Sequence, residues 1–220
     1  MIVTKIEQQK RHPDRVNLYL DGDFALGLHK EVLIKFSLRK GDTISKERID
    51  ELIDAEEFSR AKQKALLLLN RRMRSEKEIR IKLREKEFHP RTIDSVVNYL
   101  HSIKFLNDEE FARAFIHDNQ LRKPSGRKLL QQQLRLKGVT ISVIESVLND
   151  NISSNQEKKA AQDAAIKIFQ RYSNSKKKID DEKKQKRITQ FLFRRGFSWQ
   201  IISTVIKNIF KNEPLINMEE

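Results

Sequence analysis

Histidines and acidic residues are the side chains in this sequence most able to bind a metal ion or transfer a proton. The five histidines, at positions 12, 29, 89, 101 and 117, have no carboxylate or second histidine at metal-site spacing. HExxH, GxSxG and P-loop lysine motifs are absent. The acidic run Asp180-Asp181-Glu182 lies among lysines and is expected to begin a helix. The sequence therefore predicts no enzyme activity, no metal site and no cofactor.

Cysteine is also absent, which excludes disulfides, thiol chemistry and the usual cysteine-based zinc sites. No apolar run approaches the roughly 18 residues that a membrane span requires. The N-terminal residues contain no apolar signal-peptide core. We therefore expect a cytoplasmic protein, monomeric and without membrane contact.

Basic residues are the remaining candidates for chemistry, because they can bind phosphate or carboxylate groups. The chain carries a net charge of +14, and residues 1–55 are neutral overall, so the excess lies after residue 55. Such a field favours a polyanion such as nucleic acid, an acidic membrane surface or an acidic protein face. The alternative is a lysine-rich helical protein with no such partner. The candidate contact residues, chosen by charge and by position beside helix junctions, are Arg71, Arg72, Arg74, Arg122, Lys123, Arg127, Lys128, Arg194 and Arg195.

The elements that must position these residues begin with a β-rich segment. Apolar residues alternate on both sides of Asp21-Gly22, which predicts a hairpin with a type I′ turn. The preceding stretch IVTKIEQQ can supply a third strand. From Ser45 onward the apolar spacing is helical. Ser75 with Glu78 and Asn107 with Glu110 have the spacing of capping boxes, which predicts helices beginning near residues 76 and 108.

A repeated pattern organises the helical part. The stretch LRLKGVTISVIESVL, residues 134–148, aligns with LFRRGFSWQIISTVI, residues 192–206, and with LREKEFHPRTIDSVV, residues 83–97. Each copy reads as a helix, a tight turn at Gly138 or Gly196, and a second helix, with Glu87 replacing glycine in the first copy. Thr140 and Ser198 are expected to cap the second helix, and His89 to be a poorer cap.

The fold class predicted from this repeat is mainly α: three tandem three-helix bundles in an elongated curved array, preceded by a small β-meander. The expected divisions are residues 1–55 for the β-rich extension with a short helix, 56–106, 107–153 and 154–212 for the three repeats, and 213–220 for a tail.

Each helix-turn-helix unit also invites comparison with sequence-reading DNA-binding motifs. A recognition helix needs outward Arg, Lys, Asn or Gln to reach base edges. The second helix of copy two contains no Arg or Lys and presents Glu145, and that of copy three offers only Gln200 before Lys207. Sequence-specific reading of the major groove is therefore poorly supported, whereas non-specific phosphate binding stays open.

The sequence resembles the RecX family, regulators of the bacterial recombinase RecA. The resemblance rests on LLNRRMRSEKEIRIKL in copy one, FLNDEEFARAFIHDNQLRKPSGRKLLQQQLRLKGV in copy two and KRITQFLFRRGFS in copy three. It implies a binding protein that lies in the groove of the RecA–single-stranded-DNA filament, suppresses ATP hydrolysis and strand exchange, and restrains recombination and the SOS response. Direct contact with single- or double-stranded DNA, mostly through phosphates, is also implied. The alternative is a non-specific nucleic-acid-binding helical protein without a dedicated protein partner.

Overall fold

The structure is a computed structural model that describes residues 1–174 and 179–210, and the predicted tail at 213–220 lies outside these ranges. Within them, three strands are followed by ten helices, so the predicted mainly α fold class is confirmed. The chain divides into two compact units, Met1–Asn107 and Asp108–Glu220.

The first unit begins with the predicted meander. Strands β1 (Val3–Gln8), β2 (Arg15–Leu20) and β3 (Asp23–His29) form an antiparallel sheet in the order β1-β2-β3. Asp21 and Gly22 both have positive φ, 50° and 100°, as a type I′ turn requires. The alternating apolar residues of β2 are buried on one face of the sheet.

Two helices cover that face. Helix α1 (Lys30–Lys35) contributes Val32 to the core of the sheet, and helix α2 (Lys46–Arg71) contributes Leu52. Helix α2 has no glycine or proline in its 26 residues and passes through the expected division between residues 55 and 56 without a break. Its second half packs Ala61 and Ala65 into the first three-helix bundle.

The three bundles have equivalent cores. Two columns that align in the sequence are fully buried in every copy: Leu83, Leu134 and Leu192, and the three isoleucine or leucine residues one turn before them. Each copy's apolar residues form a separate core. The repeat predicted from the sequence therefore corresponds to three bundles whose cores are packed in the same way. The remaining helices are α3 (Glu76–Arg84), α4 (Pro90–Ser102), α5 (Asp108–Arg122), α6 (Arg127–Leu136), α7 (Ile141–Asn151), α8 (Ser154–Ser173), α9 (Asp181–Arg194) and α10 (Trp199–Phe210).

Capping bonds are confirmed for three of the predicted caps, Ser75, Ser198 and His89. Ser75 Oγ accepts from the amide of Glu78, and Ser198 Oγ accepts from the amide of Ile201. His89 also acts as a cap through Nδ1. Thr140 occupies the N-cap position of α7 as predicted, but its hydroxyl makes no capping bond to the backbone and lies 3.3 Å from Ser142 Oγ instead.

The turn after the first helix of each pair has left-handed backbone in all three copies. The φ angles are 60° at Glu87, 91° at Gly138 and 80° at Gly196. A side chain in this region costs about 1 kcal/mol relative to glycine.

We expect Glu87→Gly to raise the free energy of unfolding by about 0.5 kcal/mol, because relief of strain exceeds the added entropy of the unfolded chain. Urea denaturation measures the change, and no gain would contradict the strain.

Candidate functional site

The basic cluster of the first unit lies between α2 and α3. Arg72 makes two hydrogen bonds to the carboxylate of Glu78, at 3.0 and 3.3 Å, and one to a backbone carbonyl. Arg74 Nε donates to the carbonyl of Leu68, and burial together with the nearby charge of Arg72 lowers the pKa of Arg74. Arg71 is exposed at the end of α2. Two of these three predicted contact residues therefore also hold the α2–α3 connection together.

In the second unit, the other predicted residues meet where two repeats join. The amide of Gly126 donates to the carbonyl of Arg195 at 2.8 Å, and the amide of Lys128 donates to the carbonyl of Gly196 at 3.3 Å. The amide of Arg127 donates to the buried carboxylate of Glu157 at 2.9 Å. The N-terminus of α6 therefore docks on the C-terminus of α9, an arrangement that the opposite partial charges of the two helix ends favour.

This α6–α9 junction leaves no room for a side chain at its centre. A Cβ atom on Gly126 would lie 2.3 Å from the carbonyl oxygen of Gly196, and one on Gly196 would lie 2.3 Å from the amide nitrogen of Leu129. The φ of Gly126 is an ordinary −70°. Glycine is therefore needed at this position for the close approach of the two backbones and not for a special backbone conformation. Repeats two and three are thus joined backbone to backbone.

The guanidinium groups of two predicted basic residues are bound beside the junction, that of Arg127 to the end of α7 and that of Arg195 to the segment before α6. Arg127 Nη1 donates to the carbonyl of Ile152 at 3.1 Å, and Nη2 donates to the side chain of Asn149. Arg195 Nη2 donates to the carbonyl of Pro124 at 2.8 Å, and burial lowers the pKa of Arg195. These guanidinium groups connect helix ends, a task for which the planar, multi-donor group is suited.

The other four predicted residues of this unit are exposed around the junction. They are Arg122 and Lys123 at the end of α5, Lys128 on α6 and Arg194 on α9. We call them the junction cations. The structure brings them together from three separate places in two repeats, and all four residues are exposed. They can bind phosphate or carboxylate groups of a partner.

Sequence reasoning missed the residues that extend this surface along α6 and α9. On α6 the exposed or half-buried residues Lys128, Gln131, Gln132, Arg135 and Leu136 line a hollow of about 480 Å³. The offset of 58 residues that relates copies two and three pairs Lys128 with Lys186 and Gln132 with Gln190. This recurrence of lysine and glutamine at equivalent positions could have indicated, from the sequence, that the binding surface extends along both helices.

The two stretches of sequence that form most of this surface contain basic residues but no acidic ones outside the first turn of α9. The sequence contains no Asp or Glu from residue 119 to 144, which includes all of α6, and none from residue 183 to 212, which includes most of α9 and all of α10. The acidic residues of α9 are confined to its first turn, where Asp180 caps the helix by accepting from the amide of Lys183. The α6–α9 junction therefore lies between two stretches that carry positive charge only.

Across 1–174 and 179–210, no group of three or more His, Cys, Asp or Glu is placed to hold a metal ion. In the same ranges, no helix combines the length and apolarity that crossing a membrane requires.

Comparison with family models matches four successive parts of the chain. Residues 1–45 match the regulatory protein RecX N-terminal domain, residues 61–100 the first RecX three-helix domain, residues 107–148 the second and residues 157–206 the third.

Individual relatives match over most of their length. The chain is 31% identical to the regulatory protein RecX of Clostridium acetobutylicum over 94% of this chain and 96% of the relative. It is 34% identical to that of Clostridioides difficile, over 94% and 95%. A crystal structure of regulatory protein RecX matches with a TM-score of 0.76 at 27% identity, covering 93% of this chain and 98% of that one. The RecX structure from Lactobacillus salivarius matches with a TM-score of 0.61, also at 27% identity, over 70% and 97%.

Proposed function

Because the chain belongs to the RecX family of regulatory proteins, we propose that it binds the filament that RecA forms on DNA and inhibits its recombinase and ATPase activities. Homologous recombination and the SOS response are restrained as a result, and the protein acts in the cytoplasm, where the filament forms. It acts by binding and not as an enzyme.

One observation carries this proposal: four exposed cations lie around the junction of two repeats, whereas the carboxylate at the junction, that of Glu157, is buried and bonded to the amide of Arg127. The four junction cations come from α5, α6 and α9, and the helices α6 and α9 add no carboxylate beyond the first turn of α9. A partner that presents regularly spaced negative groups, as a nucleoprotein filament does, can be bound by such a surface without any pocket. Successive repeats of one fold are suited to contact successive units of a polymer.

The direct test is the ATPase activity of RecA on single-stranded DNA with increasing amounts of the full chain. We expect inhibition at substoichiometric amounts, because one protein bound to the filament contacts several recombinase units. No inhibition at a several-fold molar excess of the full chain over RecA would contradict the proposal.

A salt titration distinguishes filament binding from the alternative, which is non-specific nucleic-acid binding without a protein partner. Pure phosphate binding to a single strand weakens with a slope of about −0.7 in log K against log salt for each phosphate contacted. A filament regulator should bind the RecA–DNA complex more tightly than it binds DNA alone at the same salt concentration. Equal affinities would favour the alternative.

Reversing the junction cations should weaken inhibition. We expect the variant Arg122→Glu, Lys123→Glu, Lys128→Glu and Arg194→Glu to require roughly tenfold more protein for half-inhibition, since attraction becomes repulsion toward a negative partner. The matched control reverses four exposed basic residues of the β-rich segment, Lys10, Arg11, Arg39 and Lys40, with the same change in net charge. An equal loss in both variants would mean that net charge alone, and not the junction, determines binding.

A further inference from the structure

Two aromatic side chains are exposed on either side of the turn between α9 and α10. Phe193, near the end of α9, is 66% exposed, and Trp199, the first residue of α10, is 65% exposed. The core of the third bundle does not need them, since Phe197 of the same turn is buried in it. Large aromatic side chains left in water beside a structured turn mark a contact surface.

The corresponding turn of the second repeat has a different chemistry. It is also flanked by two exposed apolar side chains, Leu136 at 69% and Ile141 at 45%, but both are aliphatic. An aliphatic side chain offers no planar face, whereas Phe and Trp stack on planar partners. The aromatic pair of the third repeat is therefore suited to a planar ligand.

The charge around the aromatic pair selects the kind of planar ligand. Between Glu182 and Glu213 the sequence contains no acidic residue, and seven of residues 183–210 are Lys or Arg. Lys186, Gln190 and Arg194 follow one another at intervals of four residues on α9 and are all exposed. The surface therefore presents cations and aromatic faces together.

A ligand that satisfies both features carries negative charge along its backbone and exposes planar rings. Single-stranded nucleic acid does so, because its phosphates repeat at every nucleotide and its bases are free to stack on aromatic side chains. A duplex hides the faces of its bases, and an acidic peptide has none.

We propose that the third repeat has a base-stacking site for single-stranded nucleic acid, with Phe193 and Trp199 stacked on bases and with Lys186 and Arg194 on the neighbouring phosphates. This inference rests on the proposed function and deepens it, since the filament is built on a strand whose bases this site would hold. It concerns the isolated chain and needs no recombinase to be tested.

Trp199 is the only tryptophan of the chain, so its fluorescence reports on the site. The full chain is titrated with oligo-dT of about 16 nucleotides, the upper end of the site sizes found for single-strand-binding OB folds, and with an abasic strand of equal length that keeps the phosphates. We expect oligo-dT to quench the fluorescence and to bind more tightly than the abasic strand. Binding without quenching, or equal affinity for both strands, would overturn the stacking.

The variant Phe193→Ala tests the second aromatic side chain with Trp199 intact. We expect its affinity for oligo-dT to fall about tenfold, the size of effect that loss of stacking on one base produces, and its affinity for the abasic strand to stay unchanged. The matched control is Phe105→Ala, which removes a phenylalanine that is 60% exposed in the first unit. Wild-type affinity of Phe193→Ala for oligo-dT, or an equal loss on the abasic strand, would contradict the proposal.

The RecA ATPase assay separates this inference from the proposed function. If the wild type inhibits the ATPase but oligo-dT does not quench Trp199, only the stacking site is wrong. If oligo-dT quenches Trp199 but the ATPase is unaffected, the filament function is wrong and the stacking site stands. If Phe193→Ala loses inhibition while keeping its affinity for oligo-dT, the aromatic pair contacts a protein and the inference fails.

Discussion

Replacing Gly126 with alanine is expected to lower the free energy of unfolding by roughly 3 kcal/mol. The new methyl group would lie 2.3 Å from the carbonyl oxygen of Gly196, and both positions are backbone, so neither can turn away. The α6–α9 junction must open, which breaks the hydrogen bonds of the amides of Gly126 and Lys128. Each buried donor left without a partner costs about 1–3 kcal/mol.

Urea denaturation followed by two probes measures this loss. Far-ultraviolet circular dichroism reports all the helices, whereas the fluorescence of Trp199 reports the third repeat. Repeat units are stabilised mainly by contact with their neighbours, so we expect the Trp199 transition to shift to lower urea and to separate from the helical one.

The matched control is Gly41→Ala. Gly41 has a positive φ of 96° but nothing within 4 Å of its added Cβ, so this variant carries backbone strain without a clash. It should cost about 1 kcal/mol. If Gly126→Ala, whose φ is ordinary, costs no more than Gly41→Ala, the steric account of the junction is wrong.

Removing the carboxylate of Glu56 is the second change with a large expected effect. Glu56 lies on α2 and is buried, with 7% of its surface exposed. Its carboxylate accepts a hydrogen bond from the amide of His29 at 2.6 Å, and its Oε1 lies 2.7 Å from Arg15 Nη2. It is thus a charged contact between α2 and the sheet. Glu56→Ala leaves the amide of His29 without its partner and Arg15 without its counter-charge.

We expect Glu56→Ala to lower the free energy of unfolding by roughly 2 kcal/mol. Breaking a fully buried ion pair costs about 3–5 kcal/mol, but the side chain of Arg15 is 26% exposed and water compensates part of its loss. Thermal or urea denaturation measures the change. The control is Glu51→Ala, which removes an exposed carboxylate paired with Arg48 on the same helix and should cost well under 1 kcal/mol. Equal losses in the two variants would contradict the role of Glu56.

Features with a local cause were predictable from the sequence. The turn at Asp21-Gly22 follows from two residues that tolerate positive φ, between alternating apolar residues. The left-handed backbone at Glu87 could be predicted although the residue is not glycine, because aligned copies place glycine there. The bundle cores follow from apolar spacing within each helix.

Features that join distant parts of the chain were not predictable. Gly126 and Gly196 are 70 residues apart, and nothing local indicates that their backbones touch. For the same reason, the sequence could not distinguish Arg127 and Arg195, whose guanidinium groups bind carbonyl oxygens, from exposed Lys128 and Arg194. The sequence shows which residues are basic, but only the fold shows which of them already bind carbonyl oxygens of the same chain.

The uninterrupted course of α2 has a consequence for how the protein can be dissected. A helix of 26 residues is a rod of about 39 Å, and its two halves serve the sheet and the first bundle respectively. A shortened version starting at residue 56 would cut this rod in the middle, remove its first half together with the sheet, and leave Glu56 without Arg15 and the amide of His29. The β-rich segment is therefore not a detachable module, and comparisons of protein with and without it call for point substitutions in place of truncation.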